Sequence, residues 1–269
     1  MIAATVLKLL PLVVFTFSHE RISSARLAEQ DEAMSLVRGG RFEPTIALDV
    51  GSAVVQVDSY WLDRDVVTNG DFLAFVVRHP AWQRGRVSPL FAGPGYLAHW
   101  SSASSVGPGA SARQPVVNVS WFAAKAFCEA RGARLPSELE WEYASAADER
   151  QRDARKLPAW RQATLDWYAR PAGVLPETGS ATPNYWGVRD LHGLVWEWVL
   201  DFNAMLASGD SRAANDAQML CGAGATTQGD RQDYAAFMRM AFFTSLQASH
   251  TAKVLGFRCA RTAGEEPPS

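Results

Sequence analysis

The chain has 269 residues, of which 48% are hydrophobic, 20% charged and 11% aromatic, an ordinary globular composition with enough apolar residues for a sizeable core. Its 26 Lys/Arg and 28 Asp/Glu give a net charge of −2, without the basic excess that nucleic-acid binding needs. The ten tryptophans predict a loop-rich core threaded with polar groups, because each buried indole N–H needs an acceptor.

Residues 1–25 read as a secretory signal peptide. Leu9 to Phe17 is apolar apart from Thr16, and Ser23-Ser24-Ala25 offers small residues for cleavage. A short membrane anchor or a mis-assigned start is the alternative, although the apolar stretch is too short for a comfortable transmembrane helix. Export predicts a periplasmic or secreted protein in an oxidising compartment, where cysteines pair. The three cysteines, Cys128, Cys221 and Cys259, leave at least one unpaired or intermolecular. None lies in a C-x-x-C or in a zinc-spaced Cys/His set.

Met34 to Val37 and Arg41-Phe42 flank Gly39-Gly40 and predict two strands about a turn. Val54 to Leu62 alternates as another strand. Thr68 caps a predicted helix through Val77, with Phe72, Phe75 and Val76 on its apolar face and His79-Pro80 as its stop. Residues 83–115 are rich in Gly, Pro and Ser, yet Phe91, Tyr96 and Trp100 want burial, so the segment reads as an ordered loop. Ser120 caps a helix over 121–130 that Gly132 ends. Ser137-Glu138-Leu139-Glu140 is a capping box opening a helix to about Ala147. Asp148 to Arg161 reads as a solvated charged face, 172–193 as turns and 203–232 as irregular chain. Leu255 to Arg261 is the last predicted strand. The predicted class is α+β, with short elements and one domain over 34–261 followed by a tail, 262–269.

Four stretches in this order resemble one family: Asp63 to Phe72 (DRDVVTNGDF), Pro115 to Ala144 (PVVNVSWFAAKAFCEARGARLPSELEWEYA), Gly179 to Asp201 (GSATPNYWGVRDLHGLVWEWVLD) and Leu255 to Cys259 (LGFRC). Together they are similar to the formylglycine-generating enzymes, or sulfatase-modifying factors. That resemblance implies a single domain of C-type-lectin-like fold with little regular secondary structure. The enzymes of the family oxidise a sulfatase cysteine with copper(I) held by two cysteines. Here the corresponding segment runs from Cys221 to Arg239 with no second cysteine, and Val254 stands where the family has Asn before LGFRC. Copper is therefore not expected. The segment resembles most the members encoded with nitrite reductases, which implies an accessory or maturation protein with a peptide or redox-enzyme partner such as a nitrite reductase. The alternative is a non-standard oxidase, or a formylglycine-generating one, working in the same cleft.

The resemblance also implies site residues. Asp190, Gly193, Val195 and Glu197 match a structural calcium site, and carboxylates with loop carbonyls are the hard oxygen donors calcium takes; the alternative is that Asp190 and Glu197 only cap and pair with arginines. Cys128 and Cys259 match a disulfide, or are two buried thiols, and Cys221 reads as a small buried hydrophobe. Trp196 and Arg258 match the cleft, although packing in the core is the simpler use of Trp196 and Trp198. Asp230, Arg231, Asp233, Tyr234 and Arg239 occupy the stretch of the family's copper thiolates. They suit acid–base work, a hard metal, or merely a hydrogen-bonded loop.

Overall fold

A computed structural model describes residues 33–45, 54–169, 173–203, 238–239 and 241–264. Those from Met34 onward belong to one compact unit. The signal-peptide expectation falls outside the described residues, as does most of the expected tail.

Short strands assemble into three small sheets. Strand β1 (Met34–Val37) pairs antiparallel with β4 (Tyr60–Asp63), and β4 pairs antiparallel with β7 (Ala260–Thr262). Strand β2 (Gly40–Phe42) pairs with β3 (Val55–Val57). Strand β5 (Trp196–Trp198) runs parallel to β6 (Leu255–Phe257). The Gly39-Gly40 turn therefore sends β1 and β2 into different sheets. Its close approach explains the glycine, since a Cβ on Gly39 would lie 2.2 Å from the Val57 carbonyl oxygen.

Two predicted strands are each split. Residues 54–62 break at Asp58-Ser59 into β3 and β4, and 255–261 break at Arg258-Cys259 into β6 and β7. At the second break the side chains of Arg258 and Cys259 are taken up by buried partners, and the Cys259 amide donates to Asp63 Oδ2 at 2.9 Å instead of to a ladder. Thr262 belongs to β7 and not to the tail.

The predicted helices form where their caps lie. Helix α1 (Asn69–Arg78) starts on Thr68, whose hydroxyl accepts from the Asp71 amide at 3.1 Å while Asp71 accepts in return from the Thr68 amide. Helix α2 (Trp121–Glu129) starts on Ser120, and α3 (Glu138–Ser145) on the Ser137/Glu140 capping box. Helix α4 (Pro158–Tyr168) was not expected. It has no side-chain cap and begins on a proline in its first turn, which suits that position because the proline lacks an N–H that would be orphaned there.

Phe72, Phe75, Phe127 and Phe257 pack as neighbouring rings in the core, with centroids 5.3 to 6.0 Å apart. Each fully buried phenylalanine contributes on the order of 1.5–3 kcal/mol. The 83–115 loop is ordered by the aromatics that interrupt it: Trp100 Nε1 donates to Asn69 Oδ1 at 2.9 Å and the Tyr96 hydroxyl to the Trp82 carbonyl at 2.9 Å. Cys128 of α2 and Cys259 are joined by a disulfide, with Cα atoms 5.5 Å apart. Closing a loop of that length stabilises by about 4–5 kcal/mol in the chain-entropy model. Among the described residues, no helix is long and apolar enough to cross a membrane.

Candidate functional site

Two buried ion pairs lie under one aromatic wall. Strand β5 turns Glu197 and Trp198 into the interior and leaves Trp196 half-buried. Glu197 meets Arg258 in a two-point pair, Nε to Oε2 at 2.7 Å and Nη2 to Oε1 at 2.8 Å, with both side chains fully buried. The remaining Arg258 donors reach the carbonyls of Asp63 at 3.0 Å and Arg189 at 2.9 Å. Such satisfaction is what a buried guanidinium requires, because its desolvation costs several kcal/mol. Arg258, expected to line a cleft, is thus a buried cross-link between β5, β6 and the 63–64 turn.

The second pair joins Glu138, the first residue of α3, to Arg239 at 2.7 and 2.9 Å. The Arg239 guanidinium lies 3.5 Å from the Trp141 ring centroid and 4.5 Å from that of Phe243, close enough for cation–π attraction. Burial pushes the Glu138 carboxyl up, and Arg239 offsets part of that rise. Arg239, a candidate for chemistry, is committed to this pair. Trp141 bridges the two pairs, donating its N–H to Glu197 Oε2 at 3.0 Å while its face meets Arg239.

Above the pairs stands the wall. Trp196 packs against Phe242 at 4.6 Å, Tyr168 at 5.0 Å and Trp167 at 5.5 Å between centroids, and all four are half-buried. Burial pushes the Tyr168 hydroxyl up to about 12, so it stays protonated at neutral pH. His192 completes the site. Its Nε2–H donates to the Ser145 carbonyl at 3.1 Å, and the rings of Trp141, Trp160 and Trp167 surround it. Its Nδ1 is buried without a hydrogen-bond partner among the described residues, and burial, foremost, lowers its pKa to about 4. The arrangement offers ring faces for stacking and a neutral imidazole, over charges that are already paired. Trp196 was expected here. Trp167, Tyr168 and Phe242 were not, because α4 was not expected and Phe242 lies beyond the irregular stretch.

The four expected calcium residues are differently occupied. Asp190 takes a positive φ of 60° and accepts from the amides of Gly179 at 2.6 Å and Ala181 at 3.2 Å, one on each oxygen. Each oxygen keeps a lone pair. The carbonyls of Gly193 and Val195 accept no hydrogen bond among the described residues, and backbone carbonyls are among the hard oxygen donors that calcium takes. These three fit calcium. Glu197 fits less well, because Arg258 already matches its charge. Copper(I) fits worse: the disulfide uses two of the three cysteines, and one thiol cannot make a two-sulfur site. Cys221, Asp230, Arg231, Asp233 and Tyr234 lie outside the described residues.

Residues 20–263 match the sulfatase-modifying factor enzyme 1-like domain. The chain is 32% identical over 284 aligned positions to the inactive C-alpha-formylglycine-generating enzyme 2 of Mus musculus, covering 87% of each chain. It is 31% identical over 185 positions to the formylglycine-generating enzyme of Streptomyces coelicolor, covering 62% of this chain and 59% of that one. It is 30% identical over 167 positions to the hercynine oxygenase of Mycobacterium tuberculosis, covering 54% of this chain and 38% of that one.

Proposed function

The chain belongs to the sulfatase-modifying factor enzyme 1-like family, and from that premise we propose that it is an exported, non-catalytic member, an accessory or maturation protein for a redox enzyme such as a nitrite reductase. The count of available thiols carries this reading. With Cys128 and Cys259 bonded to each other, only Cys221 remains, and the copper(I) chemistry of the family needs two soft sulfur donors. Similarity along most of the chain to a relative named inactive supports the same reading.

In this reading the wall of Trp167, Tyr168, Trp196 and Phe242 receives an apolar or aromatic side chain of a partner peptide by stacking, as half-exposed aromatic residues do at interfaces. The Glu138–Arg239 and Glu197–Arg258 pairs hold the wall in place. Calcium at Asp190, Gly193 and Val195, with the lone pair left on Glu197 Oε1, holds the loop that leads into β5. The ion supplies rigidity and no chemistry.

The test is mass spectrometry of a peptide with a Cys-x-Pro-x-Arg core after incubation with copper-loaded protein, reductant and oxygen. No change at the cysteine is expected. Protein-dependent conversion of that cysteine to formylglycine would overturn the reading and return the chain to the oxidases. A second reading, an oxidase using Asp230, Arg231, Asp233 and Tyr234, draws on similarity to a relative named as an oxygenase. It predicts that substituting Asp230, Asp233 and Tyr234 abolishes function in the host while the protein remains folded.

A further inference from the structure

We propose that the segment 77–91 forms a face that docks peripherally on an anionic phospholipid surface. The first observation is a separation of charge. Residues 72–128 and 241–264 contain no Asp or Glu and eight Lys/Arg, in a chain of net charge −2 with 28 acidic residues. The two stretches pack together: the Gly93 amide donates to the Ser249 carbonyl at 2.8 Å, Asn118 to Ala252 at 2.9 Å and Trp121 to Ala248 at 3.0 Å. The two stretches supply no carboxylate of their own, and the acidic side chains that meet them come from other segments, as Glu177 does at Arg113 and Glu197 at Arg258.

The second observation is what this part exposes. After α1 the chain makes a short 3-10 turn (Pro80–Trp82) and doubles back, held by Gln83 Nε2 on the Val76 carbonyl at 3.2 Å and by the Tyr96 hydroxyl on the Trp82 carbonyl. Leu90 is 80% exposed, Val77 55% and Phe91 45%. Phe91 rests on Trp82 and Phe122, with centroids 6.1 and 5.2 Å away, so the apolar tip has a rigid aromatic base.

The third observation is the cations that the same segment carries. Arg78 and Arg86 are exposed, and neither pairs with a carboxylate among the described residues. Elsewhere in the same stretches, Arg113 pairs with Glu177 and Lys125 with Glu129. An exposed apolar tip in a segment whose arginines meet no carboxylate among the described residues suits a leaflet in which apolar side chains enter the acyl boundary and cations meet phosphates. The missing carboxylates favour a membrane over an acidic protein. A protein partner asks only for cations at its own contact points, whereas a continuous plane of negative charge repels every carboxylate on the approaching face.

The test is co-sedimentation of the full chain with vesicles of equal parts phosphatidylglycerol and phosphatidylcholine, and with phosphatidylcholine alone. Binding several-fold stronger to the anionic vesicles, weakened by salt, is expected. Arg78→Gln with Arg86→Gln should weaken it roughly tenfold or more, and Leu90→Ser by several-fold. All three side chains are exposed, so an unchanged melting temperature will show that the variants fold. Absence of preference for anionic vesicles overturns the proposal. So does binding that both variants leave intact, which would place the contact on another part of the chain. Binding to immobilised polyglutamate without binding to vesicles overturns it in favour of an acidic protein partner.

Discussion

Trp141 donates its indole N–H to Glu197 Oε2 at 3.0 Å, a contact between α3 and β5 that couples the two buried ion pairs. Removing members of this group should cost unequal amounts. Trp141→Phe keeps the ring over Arg239 and loses one hydrogen bond to a charged acceptor, about 1.5–3 kcal/mol. Arg258→Met leaves the Glu197 carboxylate buried without its cation, about 3–5 kcal/mol. Urea denaturation of both variants checks this. Equal, small losses would mean that water reaches Glu197.

The disulfide is tested by thiol labelling. Unfolded under non-reducing conditions, the protein should take one label, at Cys221, and three after reduction. Cys128→Ser with Cys259→Ser should lower stability by about 4 kcal/mol. Three labels without reductant would show that the bridge does not form.

The calcium proposal predicts that a chelator lowers the melting temperature and that calcium restores it, because an ion bound only by the folded state stabilises it by mass action. Asp190→Ala should abolish the difference. Identical melting curves for the wild-type protein with chelator and with calcium would leave Asp190 as the acceptor of two loop amides alone.

His99 sets a pH dependence. Its Nδ1 accepts from Asn118 at 3.2 Å and its Nε2–H donates to Asn69 at 3.1 Å. Burial, and secondarily Arg84, lower its pKa to about 4. The folded state thus binds fewer protons than the unfolded state, whose histidine titrates near 6.5. Its contribution to stability is full above pH 6.5 and declines as pH falls toward 4. His99→Gln, which can make both contacts, should flatten the fall between those values by about one proton per unfolding event. An unchanged pH slope would assign the effect elsewhere.

Local chemistry was legible in the residues themselves. Thr68, Ser120 and Ser137 mark helix starts because a capping hydroxyl acts within three residues. The charged segment before α4 hid its start, since Leu157 at the N-cap offers no capping side chain. Strand pairing was not legible. Val54 to Leu62 has the alternation of one strand, yet it serves two sheets, because pairing depends on partners distant in the chain.

The same division runs through the site. The sequence by itself determined the family, the supply of three cysteines and the aromatic excess. These are matters of residue identity and order, and folding does not alter them. Only the tertiary structure decided which charges are free. Arg258 and Arg239 read equally well as cleft residues until Glu197 and Glu138, 61 and 101 positions away, are seen to neutralise them. A buried charge takes its partner from space and not from the chain, since the attraction that offsets its desolvation weakens with distance to the opposite charge and is indifferent to sequence separation.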